Sequence, residues 1–301
     1  MKNNTLSDNM KGIIYVVVST IGFSVIPILA KIGFHSGSNS TTMLFYRFLI
    51  ATIIFLVYMC FKKQNILLTN KKLYLPFILS SIAYGTQCLL FFSAFKYISP
   101  SIGELIYYIY PIFVTISAFF FLGEPIHIRK IICILLSIIG CGFILLSPWD
   151  HIQLKGIFMV IMASIMSTIY ITMNKKVLSH IDSLTVTAYV SFGCSIYYLI
   201  YGTSTHTLEL SINLKTFICI LVLAFWSTIM GLFAFLKGLS LIGASKASII
   251  SLIEPLMTVL LSFIIFSTTL TINQIIGGIL IILSIYLFEK KSSNQKSSKQ
   301  T

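Results

Sequence analysis

The chain predicts an all-α membrane protein of ten transmembrane helices in two inverted five-helix repeats, with both termini inside. Three observations carry that expectation. The sequence is 57% hydrophobic and only 10% charged, with a mean hydropathy of +0.96, against roughly 45–50% apolar and ~25% charged residues in soluble domains. Ten apolar windows approach or exceed the about 20 residues a helix needs to cross a ~30 Å hydrocarbon core. The chain also repeats itself, with five windows in each copy.

In order, the windows lie at 12–33, 41–61, 73–95, 99–121, 128–146, 155–174, 182–202, 214–236, 245–266 and 272–288. Too little sequence remains for a soluble domain. The first window follows a polar cytoplasmic leader, 1–11. It is too long for the apolar core of a cleavable signal and is expected to stay in the membrane. The rest divides into a first repeat at 12–146, an external linker at 147–155, a second repeat at 156–289 and a disordered basic cytoplasmic tail at 290–301. All six cysteines fall within or at the ends of the windows, in no spacing that suggests a metal site or a disulfide framework.

A net charge of +13 raises the question of nucleic acid, and the distribution answers it. With the N-terminus inside, 16 Lys and Arg fall in cytoplasmic segments, 4 fall outside and Arg47 lies within a window. That bias is the positive-inside pattern of membrane topology, so no nucleic-acid partner is expected. The tail is expected to anchor topology near anionic lipid.

Compared with itself, the chain matches without gaps at an offset of 144 residues: Gly12 with Gly156, Lys31 with Lys175, Phe48 with Phe192, Phe91 with Phe235, and Pro111 with Pro255. An odd number of spans per copy turns the second copy over. The loop charges agree with inversion, since Arg129 and Lys130 become Asn273 and Gln274, and Lys62 and Lys63 become His206 and Thr207. Inverted repeats suit alternating access, because exchanging the conformations of the two copies turns an inward-open state into an outward-open one around a midplane site.

The stretches "IYYIYPIFVTISAFFFLGE" (106–124) and "SLIEPLMTVLLSFIIF" (251–266), each late in its half, resemble the signature regions of the EamA-like family in the drug/metabolite transporter superfamily. Arg47 in "LFYRFLIA" is similar to a basic position in that family's second span. The resemblance covers about 12–289 and implies ten spans and a secondary transporter for amino acids or related metabolites, with export commoner than uptake. Two departures stand out. Glu104 replaces a small apolar residue, and the Gly-Glu at 123–124 becomes Ser267 and Thr268 in the second half.

Arg47, Glu104 and Glu254 are the charged residues placed clearly inside windows. Each costs about 2.5–3.5 kcal/mol to insert, so they are functional candidates. Glu254 lies about nine residues into its window, ~13 Å at 1.5 Å per residue, and shares a small polar stripe with Ala247, Ser251 and Thr258. It reads either as the binder of a substrate amine or a proton, or as a packing hydrogen bond to a neighbouring helix. Pro255 and its repeat mate Pro111 are expected to kink their helices, as is Pro27.

Tyr110 is the mate of Glu254, while Glu104, Tyr107, Tyr108 and Pro111 share one helical face. Tyr107 and Tyr110 are expected to line a cavity, the alternative being interfacial anchoring. Glu104 and Arg47 lie at similar depth, so pairing as a gate or clamp is one reading and contact of Glu104 with a cationic ligand another. Polar faces at Thr20, Phe23, Ser24 and Pro27, and at Ser164, Ser167 and Thr168, suit either helix packing or ligand contact. Gln87 in the third window and Trp226 in the eighth complete the expected substrate-binding set.

An enzyme is not expected. The five histidines lie in loops, Asp8, Asp150 and Asp182 lie outside the windows, and no phosphate-binding loop is present. No cofactor or metal is called for. The sequence therefore reads as a multi-pass protein of a bacterial-type inner membrane, moving a small zwitterionic or cationic metabolite, with protons as a candidate coupling ion. A passive channel or facilitator is the alternative, although no acidic ring or filter-like loop supports it.

Overall fold

The computed structural model describes residues 7–63, 73–145, 153–266 and 271–297. The first part of the leader, most of the 147–155 linker and the end of the tail lie outside the described residues. Short polar side chains placed before apolar runs start several of the helices. Ser7 caps α1 (Asp8–Phe23) by accepting from Met10 N, and α2 (Ile26–His35) continues its line after a short break. Asn39 caps α3 (Ser40–Phe61) in the same way, and α4 (Tyr74–Ala94) follows. Each such cap satisfies amide groups that a helix start otherwise leaves unpaired.

The next stretch is two helices rather than one, α5 (Pro100–Tyr107) and α6 (Tyr110–Leu122), followed by α7 (Ile128–Leu145). In the second half come α8 (Leu154–Val177), α9 (Ser183–Ser204) capped by Asp182, and α10 (Leu214–Val222) capped by Asn213. A π-helix over Leu223–Leu232 then leads into α11 (Phe233–Ile242). The chain closes with α12 (Ala244–Ile250), a 3₁₀ turn at Ser251–Ile253, α13 (Glu254–Phe266) and α14 (Ile272–Ser297).

Among the described residues, nine helical stretches are long and apolar enough to cross a membrane, and Ile272–Phe288 is a shorter apolar helix. The all-helical fold agrees with the expectation from composition. One expectation fails at the end of the chain, where α14 runs on to Ser297 although disorder is expected from 290. Lys and Gln are good helix formers, and neither Gly nor Pro interrupts that segment.

Packing repeats at the same offset as the sequence. A Cβ on Gly12 of α1 would collide with Ile242 and lie 3.0 Å from Leu241, while one on Gly156 of α8 would lie 2.9 Å from both Ile98 and Tyr97. Each contact residue is 144 positions from its counterpart. The two first helices of the halves thus press, through equivalent glycines, on equivalent segments of the opposite halves. Helices α7 and α14 also meet through glycine, since a Cβ on Gly140 would lie 2.8 Å from the Gly277 carbonyl oxygen. Beside that contact Ser137 donates to Ser284 Oγ at 2.8 Å, and Ser284 donates to the Cys133 carbonyl at 2.6 Å. Small residues that admit close backbones and hydroxyls that bond across them are how helices associate without a hydrophobic driving force.

The ends of α6 and α11 are tied to other helices. Gly123, at φ +67°, ends α6 in the left-handed conformation that a Cβ disfavours. That turn sends Glu124 to the start of α12, where its carboxylate accepts from Ala244 N at 2.8 Å and Ser245 N at 3.1 Å, with Lys130 at 3.9 Å. Lys175 of α8 donates to the carbonyls of Leu239 and Ser240 at the end of α11, at 3.1 and 2.9 Å. A carboxylate thus sits at a helix start and an ammonium at a helix end, each complementing the local dipole.

Candidate substrate cavity

Proline-broken helices open the interior. Tyr108 and Ile109 leave the α-helical pattern between α5 and α6, and the next helix carries Pro111 in its first turn. In the mated stretch α12 gives way to the 3₁₀ turn, and Pro255 sits in the first turn of α13. Proline has no N–H to donate, so each break falls just before the ring. The carbonyl of Ser251 is taken up locally by the N–H of Glu254. Pro27 occupies the same first-turn position in α2.

These breaks border a cavity whose volume open to the centre of a water molecule is about 90 Å³. One such molecule needs about 10–15 Å³ on that measure, so the space holds several waters or part of a small solute. Its wall is aromatic. Tyr84 and Tyr170 stack at 4.4 Å, and Tyr107 lies 5.0 Å from both Phe91 and Tyr110. The Tyr107 hydroxyl donates to Ser167 Oγ at 2.9 Å, and Ser164 Oγ donates to the Tyr107 carbonyl at 3.1 Å, holding α5 against α8. The Tyr170 hydroxyl has no partner among the described residues.

Charge enters this wall at three points, Arg47, Glu104 and Glu254, with Gln87 as a neutral polar group. Arg47 is 1% exposed and Glu104 is 5% exposed, so both are withdrawn from bulk solvent. Among the described residues neither Glu104 nor Glu254 forms an ion pair, and no side-chain hydrogen bond engages either carboxylate.

The structure brings together Glu254, Tyr110, Tyr107, Glu104, Gln87, Arg47 and Pro27 around one space. It leaves out Trp226, Ser24 and Thr168. Trp226 is 41% exposed, with its indole N–H donating to the Ile21 carbonyl at 3.1 Å. The cause is the π-helix, whose wider i→i+5 turn cancels the α-helical spacing that aligns Trp226 with Met230 and Phe233. Leu232 and Phe235 line the cavity from that segment instead.

Ser24 falls in the break between α1 and α2, with its hydroxyl donating to the Ile21 carbonyl at 2.8 Å, while Phe23 and Ile26 take the wall positions. Thr168 turns its hydroxyl to the Ser164 carbonyl at 2.9 Å, and Ser167, Tyr170 and Ile171 face the space one position round α8. The Arg47–Glu104 pair, one of the readings open from the sequence, is absent among the described residues. Arg47 Nε donates instead to Thr228 Oγ1 at 2.7 Å, because the π-helix carries that hydroxyl against α3. Tyr170 and Thr228 escape sequence reasoning altogether. Tyr170 does lie three residues beyond Ser167 on a helical face, a legible signal, whereas nothing local marks Thr228.

The described residues form an all-helical bundle with nine membrane-length apolar helices and a partly polar internal cavity, the form of a multi-pass membrane transporter. The model of the EamA-like transporter family matches this chain twice, over 10–146 and 154–289, and the chain belongs to that family. An uncharacterized transporter of Archaeoglobus fulgidus is 29% identical over 196 residues, covering 65% of this chain and 70% of that protein. Uncharacterized transporter YyaM of Bacillus subtilis is 25% identical over 286 residues, covering 90% and 92%. One solved crystal structure shares the fold, with a TM-score of 0.78 and 12% identity over 92% of this chain and 95% of that one.

Proposed function

We propose that the chain is a ten-span secondary transporter of two inverted five-helix halves, 12–146 and 156–289, which carries a small zwitterionic or cationic metabolite by alternating access. The tenth span is Ile272–Phe288, ~26 Å long at 1.5 Å per residue, close to the hydrocarbon thickness. The excess of cytoplasmic Lys and Arg supports an inner-membrane topology with both termini inside. The offset of 144 that relates the glycine contacts of the two halves supports the repeat.

The observation that carries the transport reading is the convergence of both proline-broken helices on one internal cavity. One contributes Glu104 and Tyr110 and the other Glu254. An unbroken leucine helix would give a solute nothing polar there. Two carboxylates in an aromatic wall favour a ligand with a cationic group.

Thermal-shift screening of the purified protein against amino acids, nucleosides, vitamins and S-adenosyl compounds identifies the solute. Counterflow in proteoliposomes then tests the mechanism. Substrate on the far side accelerates flux through an alternating-access carrier, whereas flux indifferent to it indicates a passive facilitator. Proton coupling predicts pH-dependent transport that Glu254→Gln flattens, and a pH-flat wild type rules it out.

A further inference from the structure

A second, larger pocket lies where membrane-length helices end. Apolar stretches stop at Leu122 and Ile242, others start at Ile128 and Ala244, and the apolar part of α14 stops at Phe288. The loop from Glu124 to Lys130, with Ile242, Gly243, Lys246 and Phe288, encloses about 790 Å³ open to the centre of a water molecule, against about 90 Å³ in the central cavity. A pocket bounded by the ends of membrane-crossing helices lies at the depth of the lipid headgroups.

Its wall has two characters. Ile126, Ile242 and Phe288 are apolar, whereas His127, Arg129, Lys130 and Lys246 bring imidazole, guanidinium and ammonium groups. Glu124, the carboxylate of this wall, already accepts from Ala244 N and Ser245 N and has Lys130 at 3.9 Å. Lys246 Nζ donates to Asn9 Oδ1 at 2.7 Å, a neutral acceptor that leaves its charge in place. Arg129 is half-buried and makes neither an ion pair nor a side-chain hydrogen bond among the described residues. Three cations thus stand against one engaged carboxylate. At the offset of 144 the counterparts of His127, Arg129, Lys130 and Lys246 are Thr271, Asn273, Gln274 and Ile102, so the basic set belongs to one end of the bundle only.

A guanidinium fork matches two oxygens of a phosphate through parallel charge-assisted hydrogen bonds. Basic pockets between membrane helices suit anionic headgroups, and an apolar wall beside one suits an acyl chain. We propose that this pocket binds one anionic phospholipid, its phosphate held by Arg129, with Lys130 and Lys246 supplying the surrounding positive charge and Ile242 and Phe288 lining the path of an acyl chain. A lipid held this way joins the start of α7 in the first half to α12 in the second. The assignment needs only the membrane placement that family membership gives, and stands apart from the transport reading.

Native mass spectrometry of the full-length protein in detergent, titrated with phosphatidylglycerol or phosphatidylcholine, tests it. One phosphatidylglycerol per chain is expected to bind about tenfold more tightly than phosphatidylcholine, and Arg129→Gln to weaken it about fivefold, as the loss of one basic side chain near a lipid phosphate does. Combining Arg129→Gln with Lys246→Gln is expected to weaken it further; if that double variant does not fold, Arg129→Gln alone carries the comparison. Lys62→Gln with Lys63→Gln removes two charges at the end of α3, outside the pocket, and is expected to leave binding unchanged. Excess sn-glycerol 3-phosphate, which has the phosphate without the chains, is expected not to displace the lipid.

Equal retention of the two lipids overturns the assignment, as does unchanged binding in Arg129→Gln. An equal loss in the Lys62 and Lys63 variant overturns it by making the attraction diffuse. Displacement by glycerol phosphate overturns the lipid as occupant and makes the pocket a site for free phosphate compounds. None of these readouts depends on flux, so the transport reading stands or falls separately.

Discussion

Two places in the molecule hold acidic groups beside a helix break, and they treat them in opposite ways. At the end of α6, Glu124 accepts two backbone N–H bonds at the start of α12 and has Lys130 nearby. In the central cavity, Glu104 and Glu254 face an aromatic wall with no ion pair among the described residues. A carboxylate with its bonds made within the chain holds structure together. One facing a cavity with its bonds unmade is available to something that enters. The cations follow the same division, since Lys175 is spent on the carbonyls that end α11 whereas Arg47 keeps two nitrogens without a hydrogen-bond partner among the described residues.

Removing the charge at Glu254 gives the sharpest break in this contrast. Glu254→Gln is expected to lower counterflow at least about tenfold, the loss of roughly 1.4 kcal/mol of differential interaction, while the melting temperature in detergent holds or rises. Wild-type flux in that variant would place Glu254 with Glu124 among the structural carboxylates. Glu124→Ala should do the reverse. It is expected to destabilise the fold by about 1–2 kcal/mol, as loss of a helix cap does, read as a lower melting temperature with flux per folded molecule preserved. An unchanged melting temperature would remove the clamp from the comparison.

Tyr107→Phe sharpens the cavity side. Deleting its hydroxyl bond to Ser167 is expected to cost about 1 kcal/mol, seen as a severalfold weaker apparent affinity for the screened solute. No change in affinity would leave only the ring as part of the wall. The smallest effect is expected at Trp226, where Phe should change stability by about 0.5 kcal/mol, the range for surface positions, and leave flux unaltered. A collapse of flux there would extend the solute path to the outer side of the π-helix.

Sequence legibility followed the same division. Pro111, Pro255 and Pro27 could be read as sites of helix interruption because proline acts on its own backbone wherever it stands. Glu104 and Glu254 could be singled out because an ionisable residue in an apolar run is costly in any fold. Ser24 and Thr168 lie outside the cavity wall because small polar residues bond back to their own helix as readily as they face a ligand, whereas Trp226 turns its indole N–H to Ile21 on another helix. The facing of Trp226 depended further on a π-helical turn that periodicity does not reveal.

By itself, then, the sequence determined the membrane class, the nine membrane-length apolar helices found among the described residues, the helix breaks and the 144-residue repeat, all of which follow from composition, spacing and local backbone chemistry. Tertiary structure alone decided that Arg47 meets Thr228, 181 positions away, rather than Glu104. It also decided that Glu124 caps a helix in the other half while the two cavity carboxylates stay unpaired among the described residues. Those outcomes depend on how helices distant in sequence turn and approach one another. A difference of one position round a helix exchanges a cavity wall for a packed interface.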